Sequence, residues 1–276
     1  MTVGQTLKAS TEFLAGKGVA SPRVDAEHLL AKALGVSRLD LYLQHDRPLT
    51  EAEVTAAREL VRRRGTREPL AYVLGEWGFR RLVLTTDRRA LVPRPETEVV
   101  VERCLELLDG VEHPRVVDVG TGSGAIALAL KQERPDAGVT ATDISQDALD
   151  LARENAGDLD VRFVQGDLLA GLDGAFDLVV SNPPYVLAAE LETLQPELAF
   201  EPRAALLDEG QTERLAEAAR AVLDGWLVLE VHEDRAGAVS DLLARLGYER
   251  VGITADLAGR ERVVEARWGP TQSNVP

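Results

Sequence analysis

Asn182-Pro183-Pro184-Tyr185 combines residue types that can bind a flat nitrogen-bearing group. The segment follows Phe176-Asp177-Leu178-Val179-Val180-Ser181, an apolar run that reads as a buried parallel strand. Asn182 and Tyr185 are therefore expected at the mouth of a sheet. Two consecutive prolines remove two backbone donors and fix two φ angles, while their carbonyls stay free. An –NH2 group can donate to the Asn182 oxygen and to a proline carbonyl while the Tyr185 ring packs on its face. That arrangement suits a nitrogen nucleophile that must be oriented but not strongly deprotonated. The alternative is a Pro-rich turn after a strand, with Tyr185 as a packing residue.

A second chemical feature lies upstream. Val116-Val117-Asp118-Val119 runs into Gly120-Thr121-Gly122-Ser123-Gly124. Glycine lets backbone approach a ligand and adopt positive φ, and open α/β sheets bind nucleotides at this carboxyl end of a strand. Gly120, Gly122 and Ala125 also satisfy the dinucleotide pattern, so the turn alone leaves a dinucleotide open, as well as a tight turn with no ligand. Asp143 closes the next strand, where a carboxylate can accept both ribose hydroxyls. Its other reading is a helix N-cap, a role Ser145 can fill, leaving Asp143 free. Asp167 and Leu168 end the third strand, positions suited to an adenine amino group and ring. A nucleoside across three strands beside an amide-orienting Asn-Pro-Pro-Tyr has no evident use in a dehydrogenase. A methyltransferase using S-adenosyl-L-methionine needs both, because it must align a nucleophile with an activated methyl and exclude water.

These residues need a scaffold, and the pattern predicts an α/β protein with a helical N-terminal part. Residues 1–75 read as helical. Ser21-Pro22 opens a helix that Gly35 closes, Leu39–Leu43 suggests a short segment, and Thr50 with Glu53 forms a capping box before a run through Val61. Arg62, Arg63, Arg64 and Arg67 form a basic patch at that end, read as favourable placement of cations at a helix C-terminus. Residues 76–93 suggest a β-hairpin linker turning at Thr86-Asp87, with Ala90-Leu91-Val92 in its second strand. Residues 94–276 alternate. A helix is expected from Glu96 to Leu108. Strands are expected at 115–119, 139–143, 161–165, 176–181, 226–231, 251–255 and 262–266, and helices at 124–132, 146–155, 212–223 and 235–246. Such alternation implies a parallel sheet covered on both faces, with an antiparallel hairpin at its edge. Thr271–Pro276 reads as a frayed tail.

Bulk properties narrow the function. The 28% charged residues and the lack of a 20-residue apolar run exclude a membrane-spanning design. A single cysteine, Cys104, excludes intramolecular disulfides and suits a reducing cytoplasm. No signal peptide is evident, and the four scattered histidines offer no metal-binding spacing. A net charge of −15 argues against gripping a phosphate backbone. The charge is uneven: residues 1–85 hold 13 basic and 10 acidic side chains, the remainder 18 and 36. Two differently solvated surfaces account for that, as does a first domain that docks a partner.

The chain resembles class I S-adenosylmethionine-dependent methyltransferases and, more narrowly, the release-factor glutamine N5-methyltransferase family. The resemblance rests on Asn182–Tyr185, Asp118–Gly124, Pro93-Arg94-Pro95-Glu96-Thr97-Glu98, Arg67-Glu68-Pro69 with Phe79, Glu201-Pro202-Arg203-Ala204-Ala205-Leu206 and Asp256-Leu257-Ala258-Gly259-Arg260. It implies a seven-stranded, mostly parallel Rossmann-like methyltransferase domain joined by a β-hairpin to a substrate-docking helical domain. It further implies methylation of the glutamine amide in the Gly-Gly-Gln motif of peptide-chain release factors, with S-adenosyl-L-homocysteine as product. Carried over, Gly120–Gly124, Asp143, Leu168 and Asn182 contact the cofactor. Asn182–Tyr185 hold the glutamine, and Phe79 walls the entrance. A monomer that binds no nucleic acid or metal is expected. One departure is Val231-His232-Glu233-Asp234-Arg235, where the family usually has Gly and a nearby Gln after Leu229-Glu230. Asn-Pro-Pro-Tyr alone also fits an adenine or guanine N-methyltransferase acting on a flipped nucleic-acid base. A nicotinamide-dependent or non-catalytic nucleotide-binding module is a further alternative.

Overall fold

The computed structural model describes residues 1–269, so the expected tail at Thr271–Pro276 lies outside the described residues. The chain forms two compact units. The first comprises Met1–Trp77, Thr86–Arg88 and Leu194–Phe200; the second comprises Gly78–Thr85, Arg89–Thr193 and the residues from Glu201 onward.

The first unit is helical, with α1 (Val3–Gly16), α2 (Pro22–Leu34), α3 (Arg38–Leu43), α4 (Glu51–Gly65) and α5 (Leu70–Leu74). Local chemistry sets several ends. Thr50 and Glu53 form the expected capping box on α4, and similar boxes start α1 at Thr2 and α3 at Ser37. Gly35 closes α2 at φ 64°, the left-handed conformation that favours glycine. Ser21 precedes Pro22 as expected, but its side chain caps nothing. Val3, Leu7, Leu14, Leu29, Leu30, Leu41 and Val61 build the core.

The basic cluster mostly faces its own unit. Arg63 pairs with Glu68 at 2.7 Å, Arg64 with Asp25 at 2.7 Å and Glu197 at 2.9 Å, and Arg67 with Glu197 at 2.7 Å. Arg64 is buried. Arg62 pairs with the well-exposed Glu59, one turn back. Arg62, Arg63 and Arg64 lie in the last turn of α4, as the helix C-terminus reading expects, and most of the cluster also neutralises internal carboxylates.

The hairpin consists of β1 (Glu76–Phe79) and β2 (Leu82–Thr85). Its turn is Arg80-Arg81, with Arg80 at φ 49°, not the expected Thr86-Asp87. Thr86 instead bonds Gly75 O through its N–H and Ala71 O through its hydroxyl, within the first unit. Ala90–Val92 is not a strand: the Val92 N–H goes to the Glu201 carboxylate, and Pro93 has no N–H to give.

In the second unit, α6 (Thr97–Leu107) precedes β3 (Arg115–Val119), α7 (Ala125–Glu133), β4 (Gly138–Asp143), α8 (Gln146–Ala156), β5 (Val161–Gln165) and β6 (Phe176–Ser181). Then follow α9 (Gln211–Ala219), β7 (Leu223–Glu230), α10 (Ala236–Arg245), β8 (Glu249–Ala255) and β9 (Glu261–Trp268). Leu223, expected to end a helix, begins β7 instead; its backbone pairs with Phe176 and its side chain is buried. Three 3-10 segments, Ala188–Thr193, Pro196–Phe200 and Arg203–Ala205, fall where no element was expected.

The sheet has seven strands in the order β5-β4-β3-β6-β7-β9-β8. The pairings from β5 to β7 are parallel; β9 runs antiparallel to both β7 and β8, giving the expected edge hairpin. Alternate strand residues feed two cores. Val116, Leu178, Val180 and Val228 pack with residues of α6 and α7. Val117, Val119, Val179, Leu227 and Leu229 pack with residues of α9 and α10. Strand order reverses between β3 and β6, the point where open α/β sheets form a crevice at their carboxyl ends.

Candidate active site

Parallel register builds the site. Val119 pairs with Thr142 on one side and Ser181 on the other, and Ser181 pairs with Leu229. The next residue on each strand is Gly120, Asp143, Asn182 or Glu230, so four adjacent strands present these residues as one row. The Ser181 hydroxyl donates to Val119 O at 2.7 Å and ties β6 to β3 at that level.

The turn after β3 uses its glycines. Gly120, Gly122 and Gly124 have φ of 72°, 56° and 86°. Gly120 and Thr121 N–H groups both donate to Thr142 O. A Cβ on Gly120 would enter open space, whereas one on Gly124 would sit 3.0 Å from Leu128. Gly124 thus lets α7 pack closely, and Gly120 leaves room beside the backbone. Asp118, buried beneath the turn, accepts the Thr121 hydroxyl at 2.6 Å and Ala127 N–H at 3.2 Å; its Oδ1 has no partner. Burial pushes its carboxyl up to about 7.

Asp143 is free of the N-cap role, as the sequence suggested, yet it is hydrogen-bonded. Its Oδ2 accepts Gly122 N–H at 2.9 Å and its Oδ1 accepts Ser145 N–H at 2.9 Å. Ser145 takes the N-cap role on α8, as expected, through Ala148 N–H. Each Asp143 oxygen keeps acceptor capacity, so two hydroxyls can still be bound. Burial raises its pKa despite these bonds. Ile144, 63% exposed next to Asp143, is an apolar face that sequence reading missed; an apolar residue between the acid and the N-cap was the available signal. Leu168 lies at φ 55° against one core, and its carbonyl accepts the Thr142 hydroxyl at 3.0 Å. Asp167 is exposed and pairs with Arg214 at 3.3 Å.

Asn182 is partly buried, and its Nδ2 donates to Thr97 Oγ1 at 3.4 Å. Pro183 is buried; Pro184 and Tyr185 are partly buried. The Tyr185 ring lies 6.1 Å from that of His232, tilted by 47°, and burial raises its pKa. His232 belongs to the segment that departs from the family pattern. Its Nδ1 accepts Asp234 N–H at 3.4 Å, so the departure forms an ordered 3-10 turn, Glu233–Arg235.

Phe79 requires a correction. It is 1% exposed and packs in the core with Leu84, Val100 and Val101. Its ring offers no surface to a substrate and acts in packing.

The Glu201–Leu206 and Asp256–Arg260 motifs contact the segment that leads into α6. Glu201 joins the Pro93–Pro95 segment through Val92 N–H and Arg94. Asp256 accepts Ala258 and Arg260 N–H groups and pairs with Arg260 and Arg262; Arg260 in turn reaches Glu96 at 3.3 Å. Thr97, which follows Glu96, is thereby held against Asn182.

Strand order, switch point and glycine turn together define a Rossmann-like methyltransferase fold of the class I type. The comparisons agree. Residues 5–75 match the model of the PrmC N-terminal domain, and residues 97–218 that of the methyltransferase small domain. A release factor glutamine methyltransferase of Deinococcus radiodurans is 45% identical, over 97% of this chain and 99% of its own. One of Chlorobaculum tepidum is 44% identical, over 88% and 89%. Among solved structures, the Thermus thermophilus 16S rRNA N2 G1207 methyltransferase, bound to AdoMet and guanosine, aligns with a TM-score of 0.53 at 17% identity, over 70% of this chain and 49% of that one. That last likeness concerns the fold. This chain belongs to the release factor glutamine methyltransferase family.

Proposed function

We propose that the chain transfers a methyl group from S-adenosyl-L-methionine to the side-chain amide nitrogen of the glutamine in the Gly-Gly-Gln motif of peptide-chain release factors. The observation that carries this reading is the row Asp143, Gly120, Asn182, Glu230 at the carboxyl ends of four adjacent strands.

The residues present fit the cofactor. Gly120 leaves a space that a Cβ would fill, Asp143 keeps two acceptor oxygens for ribose hydroxyls, and Ile144 and Leu168 offer apolar contact to a flat base. Gly120–Gly124 and Asn182 line the same end of the sheet; Asp167 is a further acceptor for an exocyclic amino group. When bound, S-adenosyl-L-methionine supplies a methyl group activated by a positive sulfonium and leaves as S-adenosyl-L-homocysteine.

The chain's own contribution is orientation. A carboxamide nitrogen is a poor nucleophile because its lone pair is delocalised. The Asn182 oxygen and the Pro183 carbonyl accept its two N–H bonds, which fixes the plane of the amide. Neither proline has an N–H to compete. Tyr185 packs on the amide face. Acceptors of this kind strengthen their hydrogen bonds as the nitrogen gains positive charge, so they lower the barrier. The proton becomes acidic on transfer and leaves to solvent.

The test is transfer of labelled methyl from S-adenosyl-L-methionine to three acceptors in parallel: a release factor, RNA and DNA. Labelled release factor is the expected result. Label in nucleic acid alone would favour a base methyltransferase, and no label in any acceptor would reject methyl transfer.

A further inference from the structure

Glu230 ends β7 one position beyond Leu229, the residue that pairs with Ser181. It is 3% exposed, and its Oε2 has no hydrogen-bond partner. A buried carboxylate without full pairing is expensive, so its presence beside the row calls for a reason. Its neighbours include Thr97, the first residue of α6, and Asn182, both of which draw its pKa down.

The three side chains have a definite polarity. An ionised carboxylate only accepts hydrogen bonds. Thr97 has one hydroxyl proton, which it can give to Glu230, leaving its oxygen to accept from Asn182. That is the bond present, Asn182 Nδ2 to Thr97 Oγ1 at 3.4 Å. A carboxamide can rotate by half a turn about its last bond and exchange its oxygen with its NH2 group at little steric cost. Only one of the two orientations offers an acceptor to a substrate amide.

We propose that Glu230 and Thr97 are positioning residues that hold the Asn182 carboxamide with its NH2 inward and its oxygen toward the substrate. The inference deepens the proposed function and rests on it. It gives a task to the threonine of Pro93–Glu98 and to the acid at the end of β7, neither of which touches the substrate. Glu230→Gln offers both a donor and an acceptor, so it no longer dictates which way the chain of bonds runs. Thr97→Val keeps the shape of the side chain but has no hydroxyl.

The lock also depends on ionisation. Groups facing Glu230 are Glu96 ahead of α6, Arg262 on β9, Tyr185 after β6, and Thr97 and Asn182 themselves. Burial, reinforced by Glu96, pushes its carboxyl up to about 7 against the pull of Thr97, Arg262 and Asn182. Below that pH Glu230 carries a proton, becomes a donor, and no longer demands NH2 from Asn182.

The experiment measures kcat and KM for release-factor methylation by wild type, Thr97→Val, Thr97→Ser and Glu230→Gln, with calorimetric affinity for S-adenosyl-L-methionine in each. Thr97→Val is expected to lose on the order of 10- to 100-fold in kcat, the scale of misoriented reactive groups, with cofactor affinity little changed. Thr97→Ser is expected to recover most of that loss, because it restores the hydroxyl. Wild-type kcat is expected to fall as pH drops through about 7, and Glu230→Gln to remove that limb. Wild-type kcat in folded Thr97→Val, or a Thr97→Ser variant as slow as Thr97→Val, would overturn the inference while leaving the function intact. Should Thr97→Val not fold, a Glu230→Gln profile identical to wild type would overturn it alone. A wild-type protein that methylates no release factor would overturn both.

Discussion

The carboxylate of Glu201 accepts the backbone N–H of Val92 at 2.9 Å across 109 residues of sequence. The same carboxylate pairs with Arg94, and its own side chain is fully buried. Glu201 therefore substitutes for the ladder partner that Val92 would have in a strand, and it fixes the path of Pro93–Pro95 toward Thr97. Burial raises the Glu201 pKa even though Arg94 opposes the shift. Glu201→Ala is expected to reduce stability by about 3 kcal/mol, since it leaves a buried N–H unpaired and a guanidinium without its partner. Glu201→Gln keeps the acceptor for Val92 and is expected to lose roughly half as much. Thermal unfolding of both variants checks the order; equal effects would show that the charge, not the acceptor, matters.

Two buried carboxyls make stability depend on pH. Asp118 and Glu230 are each pushed to about 7 by burial. Unfolded, such groups titrate near 4. A raised folded-state pKa means that the folded chain holds its proton longer. The contribution is complete below about pH 4 and lost as pH rises through about 7. Acidifying from about pH 8 to about pH 6 is thus expected to raise the melting temperature through these groups. Asp118→Asn removes one of them and is expected to flatten the profile. A variant profile parallel to wild type would contradict the assignment.

Much of this architecture was legible in the sequence because its signals are local. Thr50 and Glu53 state a helix start, and Gly35 a helix end. β3, β5 and β6 match their expected bounds: β3 and β6 are largely buried apolar runs flanked by turn formers, and β5 is a short half-buried edge strand that alternates apolar and polar at Val161-Arg162-Phe163. Ala90–Val92 misled for the same reason: it has strand composition, but its partner is a distant side chain. Phe79 misled because an aromatic near a motif resembles a pocket wall until the packing around it is known. Thr97 and Glu230 could not be given roles from sequence, since strand register brings Glu230, and helix packing brings Thr97, beside Asn182.

Gly120 and Gly35 separate strain from ligand space. Both have positive φ, 72° and 64°, and neither has an atom within 4 Å of a built Cβ. Gly120→Ala and Gly35→Ala are each expected to reduce stability by about 1–2 kcal/mol, the cost of a left-handed L-residue. Only Gly120→Ala is expected to weaken S-adenosyl-L-methionine binding, because its methyl would enter the space proposed for the cofactor. Calorimetry on both variants tests this, and equal affinities would move the cofactor away from Gly120.

Arg64 anchors the helical unit between Asp25 at 2.7 Å and Glu197 at 2.9 Å, with all three side chains largely buried. Arg64→Ala leaves two carboxylates without that partner. The expected loss is about 3–5 kcal/mol of stability in that unit. Arg62→Ala, on an exposed pair, is expected to change stability by less than about 1 kcal/mol. Denaturation monitored by Trp77, which packs against the core of the helical unit, distinguishes the two; similar losses would contradict the internal role of Arg64.

The most direct measurement is tandem mass spectrometry of a release factor incubated with S-adenosyl-L-methionine and either the wild-type protein or Asn182→Ala. Wild type is predicted to add a single methyl group, on the side-chain amide of the Gly-Gly-Gln glutamine. Asn182→Ala is predicted to do so at least about 10²-fold more slowly, the scale of a lost orienting group. A methyl on any other residue, or an unchanged rate in the variant, would contradict the account.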